Sequence, residues 1–264
     1  MKSMDDQKRS SGNKSNYKSV NVDYYHEPHP GRMDYWRLMA APRFRMKTIL
    51  EIISGYNSAN LIDLGCGNGE LLREVQKRYP RLKLCGVDLS ETQININKQR
   101  NPSVAWHAID LDKDDILPEQ MFGSFDTIIA SEIIEHVDNP TLFLKNACAL
   151  AKPKIGRLIL STQSGKIWET ERRVGHRNHF LKKEMKLLLE KGGWKPVEVR
   201  NAGFPFHNLA KFFANLKPSS TMKGFSDRPY GVFQKTICFI LRMLYKLNSH
   251  SAGSQLFVVA RRES

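Results

Sequence analysis

Seven short apolar runs, separated by helix-patterned stretches, constrain the folding of this 264-residue chain most. The runs are "NLIDLG" (60–65), "LKLCGVDL" (82–89), "VAWHAIDL" (104–111), "DTIIASEI" (126–133), "RLILSTQ" (157–163), "PVEVRNAG" (196–203) and "QLFVVARR" (255–262). Helical patterns fall between them at 69–79, 90–100, 140–151 and 181–192. Strands that are apolar throughout must be covered on both faces, and their alternation with helices specifies a largely parallel sheet in an α/β layer architecture. Upstream, residues 33–55 read as two helical pieces broken near Pro42. The stretch 204–254 is too long for an ordinary loop and has helical patterning of its own, so it reads as an insertion or cap.

Composition narrows the class further. An apolar content of 41% supports a real core. The polar first twenty residues read as a disordered basic tail. No run reaches the length of a membrane span and no signal-peptide core is present, which favours a cytoplasmic protein. The four cysteines show no paired spacing and read as reduced thiols. Charge is uneven: residues 61–180 balance at 16 − 16 = 0, whereas residues 181–264 give 15 − 5 = +10. An excess of that kind can meet RNA, anionic lipid or an acidic substrate, or simply be solvated.

Chemistry is concentrated at the ends of successive strands. "DLGCGNGE" joins the first strand to the first helix, and Gly65, Gly67 and Gly69 allow a sharp bend with close approach of a ligand. A dinucleotide fingerprint would need glycine at position 70, where Glu70 stands. Asp63, two residues ahead of the glycines, suits a ligand with a cationic amino-acid end. Asp88, followed by Leu89, closes the second strand where a carboxylate can accept both hydroxyls of a ribose. Asp110 and the backbone of Leu111 stand at the end of the third, suited to an adenine edge.

On these residues the chain resembles a class I S-adenosylmethionine (SAM)-dependent methyltransferase over roughly residues 35–203 plus the last strand. The resemblance implies a Rossmann-like seven-stranded sheet of order 3-2-1-4-5-7-6, its last strand antiparallel, with helices on both faces and a helical insertion before that strand. It places Asp63 and Gly65 near the methionine part of the donor, Asp88 on the ribose and Asp110 near the adenine. The domain plan is then a tail (1–20), an N-terminal helical segment (21–58), the SAM-binding domain (59–203 plus 255–264) and the basic cap (204–254). One departure is "KPKIGRLIL": the family usually has Lys-Pro-Gly-Gly there, and only Gly156 remains.

"SEIIEHVDNP" (131–140) follows the fourth strand, placing Ser131 and Glu132 beside the transferable methyl. Three readings of it stand open. Glu132, Glu135 and His136 can share an ion from one helical turn, with His176 or His179 completing the set. That arrangement is similar to the Glu-x-x-Glu-His plus distant His of the small-RNA 3′-terminal 2′-O-methyltransferases and the ubiquinone-pathway O-methyltransferases. In both, a divalent ion such as Mg²⁺ holds the acceptor oxygens, and His176 best matches the last ligand. Alternatively His136 is a general base without metal, or the segment is structural. The acceptor expected first is a small-molecule or lipid- or glycan-linked hydroxyl, second an RNA 2′-hydroxyl; a non-catalytic SAM-binding or regulatory protein is the third reading. Tyr24, Tyr25, Arg32, Tyr35 and Trp36 could line the site or merely pack. In 232–247, Lys235, Arg242 and Lys246 form one stripe on an otherwise apolar helix, able to lie on an anionic membrane surface or to cover the site.

Overall fold

A computed structural model describes residues 32–113, 117–225 and 229–263. The N-terminal tail, Tyr24 and Tyr25 lie outside the described residues. Two helices lead in, α1 (Arg32–Leu38) and α2 (Ala40–Ser54). The alternating body follows as β1 (Asn60–Leu64), α3 (Glu70–Arg78), β2 (Lys83–Asp88), α4 (Glu91–Arg100), β3 (Ala105–Ala108), β4 (Thr127–Ser131), α5 (Pro140–Leu150), β5 (Arg157–Gln163), α6 (Glu169–Arg173), α7 (Lys182–Lys191) and β6 (Trp194–Ala202). Three helices, α8 (Phe206–Ala214), α9 (Pro218–Phe225) and α10 (Val232–Tyr245), then precede β7 (Gln255–Arg262).

The seven strands form one sheet of order β3-β2-β1-β4-β5-β7-β6. β1 pairs in parallel with β2 and β4, and β7 runs antiparallel to both β5 and β6. The period of two along each strand divides the core into two layers. Ile62, Leu64, Ile128, Ala130, Leu158 and Leu160 point to one face, where Phe143, Leu144 and Ala147 of α5 and Met185 and Leu189 of α7 cover them. Their neighbours Leu61, Ile129 and Ile159 point to the other, against Ile49, Leu50 and Ile53 of α2 and Leu72 and Val75 of α3. In β1, β4 and β5 the polar side chains Asp63, Ser131, Ser161, Thr162 and Gln163 come toward the C-terminal ends of the strands.

Three expectations are corrected. The break between α1 and α2 falls at Met39, not near Pro42. Pro42 lies in the first turn of α2, where an N–H has no intrahelical acceptor to lose. The segment after β4 is not helical over Glu132–His136. Glu132 takes φ +54°, the chain runs through a turn, and α5 starts only at Pro140, with Asn139 Oδ1 accepting from Leu142 N at 3.1 Å. The third strand is also shorter than 104–111 suggested.

Gly86 on β2 leaves room for the Trp106 ring of its neighbouring strand β3 and for Leu72 of α3. A Cβ there would stand 2.5 Å from the Trp106 ring, whose Nε1–H is already committed to the Asn101 carbonyl at 2.9 Å. Gly86→Ala is expected to destabilise the fold by about 1–3 kcal/mol through overpacking, read from the midpoint of urea unfolding; an unchanged midpoint would show that this contact relaxes freely.

Candidate active site

The glycine bend is fixed from two sides. Gly65 N and Cys66 N both donate to the Val87 carbonyl, at 2.8 and 2.9 Å, tying the exit of β1 to the exit of β2. Gly67 N donates to Asp88 Oδ2 at 2.8 Å, and the Gly67 carbonyl accepts from Asn97 Nδ2 of α4 at 2.7 Å. Gly65, Gly67 and Gly69 all have positive φ, near +72°, +47° and +70°. A Cβ on Gly65 would collide with Ile133, and one on Gly69 with Trp106, whereas one on Gly67 would meet nothing within 4 Å. The loop is thus packed below and open above, the shape needed where backbone must lie against a ligand.

Asp88 accepts one N–H on each oxygen, Gly67 N on Oδ2 and Ser90 N on Oδ1 at 2.9 Å. Carboxylate oxygens have further lone pairs beyond these. Asp63 is buried beneath the bend, and burial, reinforced by the Asp88 charge, pushes its carboxyl up to about 8. Asp110 accepts from Asp112 N at 3.2 Å and faces Lys113 Nζ at 3.3 Å. Leu89 is exposed and Leu111 is buried in the core. Ser131 Oγ lies 2.9 Å from Ser161 Oγ on the neighbouring strand.

The two glutamates of the turn part company. Glu132 is held by Gln255 Nε2 at 2.8 Å, Gln163 Nε2 at 2.9 Å and Ser161 Oγ at 3.3 Å, with Arg45 Nη1 at 3.7 Å. Burial would raise its carboxyl, but Arg45, Gln163 and Gln255 outweigh that and hold it below the usual carboxylate range. Glu135 is fully buried. Its Oε2 accepts from Thr162 Oγ1 at 2.7 Å, while Oε1 has no hydrogen-bond partner among the described residues. Burial and the nearby Glu132 charge drive Glu135 well above the ordinary value.

Histidines surround Glu135. The His136 and His176 rings are 4.7 Å apart, and His176 Nδ1 lies 3.0 Å from His179 Nε2. Ligand atoms of Glu135, His136 and His176 come within 4.8 Å of one another, as do those of Glu171, His176 and His179. Glu132 stands outside both groups, so the structure brings together three of the four residues expected to share an ion. Burial lowers His136 to about 4 and also lowers His176 and His179. At neutral pH these imidazoles are uncharged and present lone pairs, the form that binds metal.

Sequence patterns missed the supporting residues. Arg45 on α2, Gln163 and Gln255 at paired strand positions, and Lys211 on α8, which reaches Glu171 Oε1 at 2.6 Å and Gln163 Oε1 at 3.1 Å, come from four distant segments. The one available signal was Gln163 itself, a polar residue ending the apolar run "RLILSTQ". Beside them an open cleft of about 330 Å³ is lined by Gly165, Lys166, Trp168, Lys211 and Ser254.

A family model described as a methyltransferase domain matches residues 35–199, more than half of the chain. The chain belongs to the class I SAM-dependent methyltransferases. Among its relatives, the ubiquinone biosynthesis O-methyltransferase of Dechloromonas aromatica is 33% identical over 106 residues, 39% of this chain and 43% of the relative. The malonyl-[acyl-carrier protein] O-methyltransferase of Halalkalibacterium halodurans is 30% identical over 105 residues, 39% of this chain and 38% of that one. The chain thus matches less than half the length of these two relatives. In fold it is similar to phosphoethanolamine N-methyltransferase 2 of Haemonchus contortus in complex with SAM, with a TM-score of 0.58 at 16% identity over 83% of this chain and 52% of that chain.

His207, buried on α8 between Gln163 Oε1 at 3.4 Å and the Tyr245 hydroxyl at 3.3 Å, is lowered to about 3 by burial, then by Lys211 and Arg45. In the unfolded chain histidine titrates near 6.5. The unfolded state therefore takes up this proton first, and stability present above pH 6.5 falls as pH drops toward 3. His207→Gln is expected to reduce the acid slope of unfolding free energy by up to about 1.4 kcal/mol per pH unit in that window, measured by urea titration at several pH values.

Proposed function

We propose that this protein transfers a methyl group from SAM to a hydroxyl of a small-molecule or lipid-linked acceptor, with Glu135, His136 and His176 forming an acceptor subsite that holds a divalent cation. The observation that carries this reading is the buried Glu135 Oε1, which lacks a hydrogen-bond donor among the described residues and lies with the His136 and His176 imidazoles at the same sheet edge as the glycine bend. Curated relatives that are O-methyltransferases support the oxygen acceptor.

In this reading Gly65–Gly69 lie along the donor, the Asp88 carboxylate at the end of β2 accepts ribose hydroxyls, and Asp110 and Leu111 border the adenine. Asp63 faces the donor's ammonium, which favours its ionised form. Ser131 ends β4 beside the reacting centre. Methyl transfer is an in-line displacement at a sulfonium and needs alignment plus removal of the hydroxyl proton. An imidazole at about 4, as burial leaves His136, is a weak base for that proton. A cation held by Glu135, His136 and His176 would instead lower the pKa of the hydroxyl itself. The nitrogen-rich set suits Mn²⁺, Co²⁺ or Zn²⁺ better than Mg²⁺, which prefers oxygen ligands. Glu132, ionised and braced by Arg45, Gln163 and Gln255, orients the turn and supplies fixed negative charge beside the sulfonium.

Glu135→Gln and His176→Asn are expected to cut methyl transfer more than 100-fold in an assay with labelled SAM, while donor affinity by calorimetry stays within threefold. Excess chelator should silence the protein and Mn²⁺ restore it; full activity in chelator would overturn the cation subsite. A second expectation concerns Asp63. Donor binding at pH 6.5 should release close to one proton, because Asp63 passes from protonated to ionised, and affinity should rise between pH 5 and 7. Enthalpies in two buffers of different ionisation heat read this directly, and Asp63→Asn should abolish the release. An RNA 2′-hydroxyl is the second acceptor, favoured by the seven Lys and Arg against one Asp in 204–254. Labelled transfer to total RNA that falls steeply with salt would select it.

A further inference from the structure

α10 is docked by one face only. Cys238 and Tyr245 are buried, with Cys238 Sγ 4.0 Å from Met39 Sδ and the Tyr245 ring packed edge-on against Phe44 and His207. At about 100° per residue, the opposite side of the helix carries Phe239, Val232, Met243, Ile240 and Phe233 in one arc of about 120°, and Leu247 follows in the turn just past its end. All six are exposed, Val232 at 84%, Phe233 at 72% and Leu247 at 70%. Thr236 is the only polar side chain within that arc. Lys235, Arg242 and Lys246, all exposed, form a row along one edge of it. The adjoining helix α8 repeats the pattern: Leu209, Phe212 and Phe213, at i, i+3 and i+4, and Leu216 just past its end are exposed, while His207 and Lys211 of the same helix turn toward Gln163 and Glu171.

A cap helix whose only role was to cover the site would bury its apolar side and expose its polar one. Here the inward side is already satisfied and the apolar side faces out, which leaves it to be covered by something else. Charge decides what. Between Phe204 and Ser254 there are seven Lys and Arg and a single acid, Asp227. A second copy of the chain would bring the same positive field against itself. Nucleic acid would satisfy the cations and leave the phenyl and isobutyl groups unburied. An anionic bilayer satisfies both, apolar side chains entering the acyl boundary while cations meet headgroup phosphates.

We propose that the outward face of α10, extended by the apolar stripe of α8, seats the protein on an anionic lipid surface. This deepens the lipid-linked acceptor reading above and rests on it for its purpose, since an amphiphile would then leave the bilayer beside α8, whose other face reaches the site. The contact itself is testable without any methyl transfer.

Full-length protein is mixed with vesicles of phosphatidylcholine alone or with about a third phosphatidylglycerol and separated by flotation, in parallel with calorimetry for SAM. Wild type should float with anionic vesicles at least tenfold better than with neutral ones. At about fivefold per cation near a charged surface, Lys235→Gln, Arg242→Gln and Lys246→Gln together should weaken binding about 100-fold. Phe239→Glu with Ile240→Glu should abolish it with SAM affinity and thermal midpoint unchanged, since both side chains are exposed. Equal binding to neutral and anionic vesicles, or no flotation at all, would overturn the proposal. So would a dimer in light scattering that the Phe239→Glu, Ile240→Glu variant dissolves, because the face would then belong to a second copy. Loss of flotation with SAM uptake intact would leave the methyltransferase reading untouched; the reverse would leave the lipid contact standing.

Discussion

Asp88 is the post to which the rest of the site is tied. Its carboxylate spans two backbone N–H groups twenty-three residues apart in sequence, Gly67 in the glycine bend and Ser90 at the cap of α4. Ser90 in turn accepts from Gln93 N at 3.2 Å, so the start of α4 is set by the same hub. A bend of three left-handed glycines has little to fix it by its own sterics. Paired with the Val87 carbonyl below and Asp88 at the side, it becomes a rigid floor. The same charge adds to the effect of burial on Asp63, which pushes that carboxyl up to about 8.

A similar economy operates at the end of β4. Glu132 and Glu135 are three residues apart and both buried, yet they titrate in opposite directions because their partners differ. Arg45 and two glutamines keep one ionised. The other has a threonine hydroxyl on one oxygen and imidazoles beyond the other, and is pushed up by the charge of the first. Environments that drive neighbouring carboxyls apart are how one fold assigns them separate tasks. The left-handed backbone of Glu132 makes this geometry attainable: in a helical turn both side chains would have lain on one face.

Much of the framework was legible beforehand, and the reasons are physical. Short, mostly apolar runs alternating with helical patterns specify a covered parallel sheet, and the strands β5 and β7 fall on the expected residues. Side-chain types at strand ends gave the order of the acidic positions. What could not be read was how the chain turns after β4, since "EIIEH" has helical spacing and a turn is chosen only by tertiary partners. Arg45, Gln255, Glu171 and Lys211 were invisible for a related reason: each is ordinary in its own segment and gains meaning from distant ones, while Gln163 showed only as a polar end to an apolar run. The two-sided character of α10 was half visible. Its basic stripe appears in the sequence, but only packing against α2 tells which apolar side is spent and which is left over.

The place where the cap joins the sheet has an evolutionary consequence. Ala202 at the end of β6 pairs with Gln255 at the start of β7, so the whole of 203–254 leaves and re-enters at neighbouring points of one antiparallel ladder. Lengthening or exchanging such a loop changes closure entropy only logarithmically and disturbs no strand pairing. A lineage can therefore graft a new helical module at that gap while the seven-stranded sheet is inherited unaltered.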